Sequence, residues 1–354
     1  MRHVGCRMLQ IIHQYVSQWG NVYMKKSQIT MSIVVLASAI ALWGCSKDNG
    51  TTNPGTTTDS EAMQYQVVHS DSIANFLASD EAGVDDSTYQ IPEYGLAKVN
   101  TIVSVVVYGR HIFWRQATRS FSTTMEGDTA AVVTVVTTVP GDLLLAVGTR
   151  SGGFATVDSV IQKTFSEVLT RKFRFKRIAR TADPNLNWRP VSMTLMQGKP
   201  ATGSAPSFHI ESIEFAASSD TTITDPLNSW FRFGHPLHSG IPYVRVRDTV
   251  TVTVTVQSTN DSAEVVNLRH GIDGIELPRG RVIMNLEPGS THIGGVYTRI
   301  YRRQFIARNF AVGHPLISVA RFSAIVDVFS YNTLHDNVAP FENECWGFPY
   351  TVIK

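Results

Sequence analysis

The sequence predicts a mainly β protein with two domains: an α+β domain built on a curved antiparallel sheet, then a β-sandwich. Three observations predict it. The stretch "DTVTVTVTVQS" alternates strictly, with Val250, Val252, Val254 and Val256 on one face and Thr on the other, as a half-buried strand does. Val/Thr-rich runs between Arg119 and Val147 are punctuated by Gly127-Asp128 and Pro140-Gly141-Asp142, which read as turns of a meander. Helical spacing is confined to Glu61–Ala78, ahead of those runs, and helices followed by strands give an α+β order.

The first 60 residues have another texture. Lys25 and Lys26 precede an uncharged, nearly all-apolar run from Ile29 to Trp43. That run has the length of a signal-peptide core and falls short of the roughly 20 residues that cross a bilayer comfortably. It ends in Leu42-Trp43-Gly44-Cys45, which resembles the lipobox of bacterial lipoproteins cut by signal peptidase II. The resemblance implies that Cys45 is diacylated, that the chain is cut before it, and that the new amine is acylated. Trp43 departs from the pattern, where a smaller residue is usual. Ser46 rather than Asp after the cysteine implies, by the same resemblance, the outer membrane, with the periplasmic or surface face open. The alternative is a non-cleaved membrane anchor. Residues 24–44 thus read as the signal peptide. Residues 45–60, rich in Thr, Gly, Asn and Asp, read as the lipidated cysteine and a flexible tether with almost nothing to bury. Residues 1–23 read as a misassigned upstream extension or a long, removed n-region.

The formal charge of +2 is carried by the leader. Arg2, Arg7, Lys25 and Lys26 precede Cys45 and no acid does, so the mature chain keeps 27 basic and 29 acidic side chains. That balance argues against a nucleic-acid protein. Cys345 is left alone, so the mature chain has no intrachain disulfide. Asp48–Ala97 carries nine acidic and no basic side chains, whereas Lys98–Arg180 carries twelve basic and five acidic. The two segments either neutralise each other or the second offers a surface to anions.

The α+β domain is expected over residues 61–217. Met63, Val67, Val68, Ile73, Phe76 and Leu77 give one or two short helices, capped by Asp59 or Ser60. Asp80–Gly95 reads as loop. Val99–Val107 is a buried strand or a buried helix, which periodicity does not decide. Strands follow at Arg119–Met125, Thr129–Val139 and Leu143–Val147, then at "RKFRFKRIAR", Trp188–Met196 and Phe208–Ala216. In outline this is similar to NTF2-like cone domains, with "RKFRFKRIAR…NLNWRPVSM" as the closing hairpin. The resemblance implies a pocket between helix and sheet, lined by Arg110, His111, Trp114, Arg115 and Arg119.

Residues 218–246, with Pro226, Gly234, Pro236, Gly240 and Pro242, read as a connector. The sandwich is expected over residues 247–354. Its strands are 249–258, Ala263–Leu268, Arg281–Leu286, Val296–Phe305, Ile317–Tyr331 and Trp346–Ile353. The strand number resembles immunoglobulin-like architecture, without the Cys…Trp…Cys core of true immunoglobulin domains.

No HExxH, CxxC pair, GxSxG, P-loop, GxGxxG or EF-hand loop occurs. His235 and His238 in "FGHPLHSG" form the weak candidate for a metal, set against a hydrogen-bonded loop. "DEAGVDD" (Asp80–Asp86) and "HDNVAPFENE" (His335–Glu344) offer oxygens to calcium, set against solvated loops. Lys172, Arg174 and Lys176 share one strand face and form the candidate surface for an anionic ligand, with Phe173 and Phe175 pointing into the core. Cys345 beside Trp346 reads as a small buried hydrophobe. The expectation is therefore a lipid-anchored envelope protein that binds or scaffolds, with an envelope protein or glycan as partner, no nucleic acid and no cofactor. A hydrolase or small-ligand carrier using the α+β pocket is the alternative.

Overall fold

Residues 58–70, 73, 77, 89–90, 105–151, 154–201, 206–233, 240–271, 280–307 and 319–353 are described by the computed structural model. The chain divides into two units, residues 57–148 with 157–354, and residues 1–56 with 149–156. The first unit holds the fold described here.

It opens with helix α1 (Asp59–His69). The cap is Thr58, one residue before the expected Asp59. Its hydroxyl accepts from the Glu61 N–H while the Glu61 carboxylate accepts from the Thr58 N–H at 2.7 Å. This reciprocal capping box satisfies two otherwise orphaned donors. Strands β1 (Tyr89–Gln90), β2 (Val105–Ile112) and β3 (Thr118–Glu126) follow. β2 resolves the strand-or-helix ambiguity for Val105–Val107. Next come β4 (Ala130–Ser151), β5 (Phe154–Arg177), β6 (Trp188–Thr194), β7 (Met196–Pro200) and β8 (Phe208–Ala216). The stretch expected as a connector contributes β9 (Thr221–Ile223), β10 (Trp230–Arg232) and β11 (Tyr243–Arg245). The remainder is β12 (Thr249–Ser258), β13 (Val265–Gly271), β14 (Gly280–Ile283), β15 (Asn285–Leu286), β16 (Thr291–Ile293), β17 (Val296–Ile306), β18 (Val319–Phe329), the short helix α2 (Tyr331–His335) and β19 (Asn343–Ile353).

The turn expected at Pro140-Gly141-Asp142 is instead the interior of β4. β4 pairs with β3 through Thr138 and with β2 from Gly141 onward. Proline, which lacks an N–H, falls where one neighbour gives way to the next, so no ladder bond is lost. Its carbonyl accepts from the Phe113 N–H at 2.9 Å. Gly141 is required by close approach: a Cβ there would lie 2.6 Å from the His111 carbonyl oxygen and 2.9 Å from the Phe165 ring.

Among the described residues the strands form two sheets. The larger runs β1-β2-β4-β5-β7-β19-β18-β13-β14, with β3 on β4, β6 on β5, β10 on β6 and β11 on β19. It is curled into a half-barrel. The smaller runs β15-β17-β12-β8-β9, with β16 on β17. The protein is thus mainly β, as expected. The finer division into an NTF2-like and an immunoglobulin-like domain is not the one the sheets follow. β8 pairs with β12 and β7 with β19, so strands from both sides of residues 218–246 share both sheets.

Each sheet face follows from the two-residue period. Val250, Val252, Val254 and Val256 of β12, with Ile213 and Phe215 of β8, pack against Val326, Val328, Trp346, Phe348 and Tyr350. Phe215 meets Phe348 edge-on with centroids 5.5 Å apart. This is the dry core of a sandwich. The alternate residues of β18 and β19, including Ile325, Phe329 and Cys345, face into the half-barrel with Tyr108, Leu145, Leu169 and Met196. A third cluster sets Met63 and Val67 of α1, with Ile73 and Leu77, against Val133, Val135, Phe173, Phe175 and Trp188.

Candidate functional site

Two constellations stand out, one closed and one open. The closed one lies inside the half-barrel. Arg110 of β2 donates from Nη1 to Glu167 Oε2 of β5 at 3.1 Å and from Nη2 to Asp327 Oδ2 of β18. Arg269 of β13 places Nη2 3.7 Å from the same Asp327 oxygen. Glu167 Oε1 also accepts from Asn343 Nδ2 at 2.9 Å and from the Cys345 thiol at 3.0 Å. Asn267 Nδ2 donates to the Tyr108 hydroxyl at 2.7 Å, and the Arg110 guanidinium lies 5.1 Å from the Phe329 ring centre. All of these polar groups are buried. Gly198 on β7 leaves the space: a Cβ there would sit 2.3 Å from Cys345 Sγ and 2.7 Å from Glu167 Oε1.

The electrostatics follow from burial. Burial pushes the Glu167 pKa up, against the pull of Arg110, and Asp327 adds to the rise. Burial, then Glu167 and Asp327, push the Cys345 thiol well above its ordinary value. Burial alone would lower the Arg110 pKa, but Asp327 and Glu167 outweigh it and the net shift is upward. Cys345 is therefore a protonated donor, not a thiolate nucleophile. With two cations and two anions in mutual contact, the cluster ties β2, β5, β13, β18 and β19 together. It is the small buried residue expected at 345, with a polar role the sequence did not announce.

The open constellation is the outer face of β5, β6 and β10. Phe173 and Phe175 are fully buried, so Lys172, Arg174 and Lys176 point the other way, as their alternation predicts. The registers extend this row sideways. Arg174 stands opposite Ser192 of β6, and Ser192 opposite Arg232 of β10; Lys176 stands opposite Arg189. Arg174 pairs with Glu126 at 3.2 Å and lies 4.5 Å from the Trp230 ring centre. Among the described residues no carboxylate pairs with Lys172, Lys176, Arg189 or Arg232. The sequence reading found the β5 row and missed Arg189, Arg232 and Trp230. Their alternation on β6 and β10 was visible, but the strand pairing that puts them beside β5 was not.

The other sequence candidates are dispersed. Arg110 is buried, whereas His111, the next residue on β2, is exposed on the opposite face. Arg115 and Arg119 are also exposed, and Trp114 is half-buried. The five do not line one pocket. In the stretch from His335 to Glu344 the oxygens are engaged. Asp336 Oδ1 accepts from the Val338 and Ala339 N–H groups, Glu342 from Ser207 Oγ, and Glu344 from the Ile210 N–H, Gln197 and Trp346. The Lys163 ammonium, on β5, donates to the carbonyls of Thr333 (2.8 Å), Ala339 (3.1 Å) and Asp336. An ammonium thus occupies the ring of carbonyls where a cation was considered. Of the two charged segments, Asp59 reaches Arg177, itself stacked 4.7 Å from the Trp188 ring. Cys45, Asp80–Asp86, His235 and His238 lie outside the described residues.

No protein-family model matches the chain, and no match was found among curated proteins. What the fold defines is a mainly β protein in which a half-barrel sheet shares a wall with a second sheet. Its interior is closed by ions and one outer face is left basic.

Proposed function

We propose that the protein is a lipid-anchored component of a bacterial cell envelope, held at the outer membrane through acyl chains on Cys45, and that it binds or scaffolds a partner there. The observation that carries this reading is the run from Ile29 to Trp43 ending in Leu42-Trp43-Gly44-Cys45, followed by a stretch without a core-forming pattern. Helix α1 begins at Asp59, so a link of little more than a dozen residues joins Cys45 to the fold. Several acyl chains, at about 0.8 kcal/mol per buried CH2, anchor stably where one does not.

Binding is favoured over catalysis because the titratable groups gathered inside the half-barrel are spent on one another, while the cations of β5, β6 and β10 face outward. The hydrolase alternative asks for His111, an acid and several arginines in one cavity. One cavity among the described residues is lined by Leu77, Val135, Thr137, Leu169, Thr170, Arg171 and Met196. Its volume is about 10 Å³, room for about one water, and its lining includes neither a carboxylate nor a histidine.

Expression of the full chain in a Gram-negative host, with mass analysis of the Cys45 peptide and detergent-phase partitioning, tests the anchor. The expected result is an acylated, amino-terminal Cys45 and recovery in detergent, both lost in Cys45→Ser. An unmodified Cys45 in protein recovered without detergent overturns it.

A further inference from the structure

We infer that the outer face of β5, β6 and β10 is a binding surface for a linear anionic polysaccharide, read by its carboxylate or phosphate groups. The inference rests on the envelope reading for the choice of a glycan, but the surface itself is drawn by the strand registers.

Alternation puts Lys172, Arg174 and Lys176 on one face, with about 6.8 Å between successive cations, twice the rise of a strand residue. The neighbouring strands lie about 4.8 Å away, so Arg189 sits beside Lys176. Arg232 lies one strand further, across Ser192 from Arg174. A grid of cations on neighbouring strands results. A single small anion would touch one or two of them; a chain carrying repeated charges would meet the whole row. Guanidiniums at three of the positions suit planar or tetrahedral oxyanions, which they grip with paired N–H groups. Arg174 is already oriented by Glu126 and by its stack on Trp230.

A second polyanion fits less well. Single-stranded nucleic acid asks for aromatic faces on which bases stack. Here Phe173 and Phe175 are buried and the Trp230 ring is stacked against Arg174.

The test uses the full chain in detergent micelles. Polygalacturonate is titrated against it, with the fully methyl-esterified polymer as the uncharged control and a single-stranded oligonucleotide as the competing polyanion. The expected result is salt-sensitive binding of polygalacturonate only, weakened at least tenfold in Lys172→Glu/Lys176→Glu/Arg189→Glu. Arg245→Glu/Arg302→Glu/Arg303→Glu carries the same charge change elsewhere and keeps wild-type affinity. Thermal unfolding checks that both variants fold, and single changes at Lys172 and Lys176 replace the triple if it does not. The inference is overturned by equal binding of the esterified polymer, by tighter binding of the oligonucleotide, or by equal losses in the two triple variants. None of these results touches the acylation of Cys45, which is read separately by mass.

Discussion

The two faces of β18 live in opposite chemistries. Phe322, Ala324, Val326 and Val328 pack into the dry sandwich core, while Asp327, between the last two, sits in the ion cluster of the half-barrel. The apolar face is held by many small contributions that add, about 25 cal/mol per Å² buried. The ionic face is held by few large ones that depend on each other. Removing charges from water is expensive, and their mutual attraction repays it only while every partner is present. The first face degrades gradually under mutation; the second fails when one member is lost.

The largest expected effect breaks the second face. Arg110→Met keeps the volume but leaves Glu167 and Asp327 buried without their shared guanidinium. A loss of about 3–5 kcal/mol in urea unfolding is expected. Changing Glu167 and Asp327 to apolar residues in the same chain should recover much of it, because the strain lies in the stranded charges rather than the missing contact. If Arg110→Met unfolds like the wild type, the guanidinium is not what holds Glu167 and Asp327 in the buried cluster.

A smaller, self-contained effect is expected on the first face. Leu268 is fully buried in the sandwich core. Leu268→Ala should destabilise by about 2–4 kcal/mol through lost transfer energy and a cavity. Unlike Arg110→Met, it should leave the pH dependence of unfolding unchanged. A change in that dependence would mean that the two cores, though they share a wall, are coupled.

The same contrast explains what was legible in the sequence. The sandwich strands were readable because alternation is local: "DTVTVTVTVQS" states its own burial. The β5 cations were readable for the same reason. Sharing of strands between sheets was not, since β7 meets β19 and β8 meets β12 by pairings no local pattern encodes. Pro140-Gly141 looked like a turn because the neighbour exchange that accommodates it is tertiary. The ion cluster was the least readable. Arg110, Glu167 and Asp327 are far apart in the chain, and each alone looks like an ordinary strand charge.

The smallest expected effect is a pH limb that belongs to the ionic face alone. Cys345 keeps its proton in the folded protein because burial, Glu167 and Asp327 all oppose a thiolate, while in the unfolded chain it titrates near 8.5. A group whose pKa is raised by folding gives stability that is full below the unfolded value and is lost as pH climbs above it. Between pH 8 and 9.5 unfolding free energy should therefore fall by about 1 kcal/mol from this group. Tyr108, Tyr301 and Tyr331, also raised chiefly by burial, contribute with the same sign only nearer pH 10, and Lys163, lowered by burial, contributes with the opposite sign, so the thiol is read as the difference between wild type and Cys345→Ala. Cys345→Ala should flatten the limb while lowering stability overall, since Glu167 loses a donor. A limb of unchanged slope in Cys345→Ala would mean that the thiol ionises as easily folded as unfolded, and that water reaches Glu167.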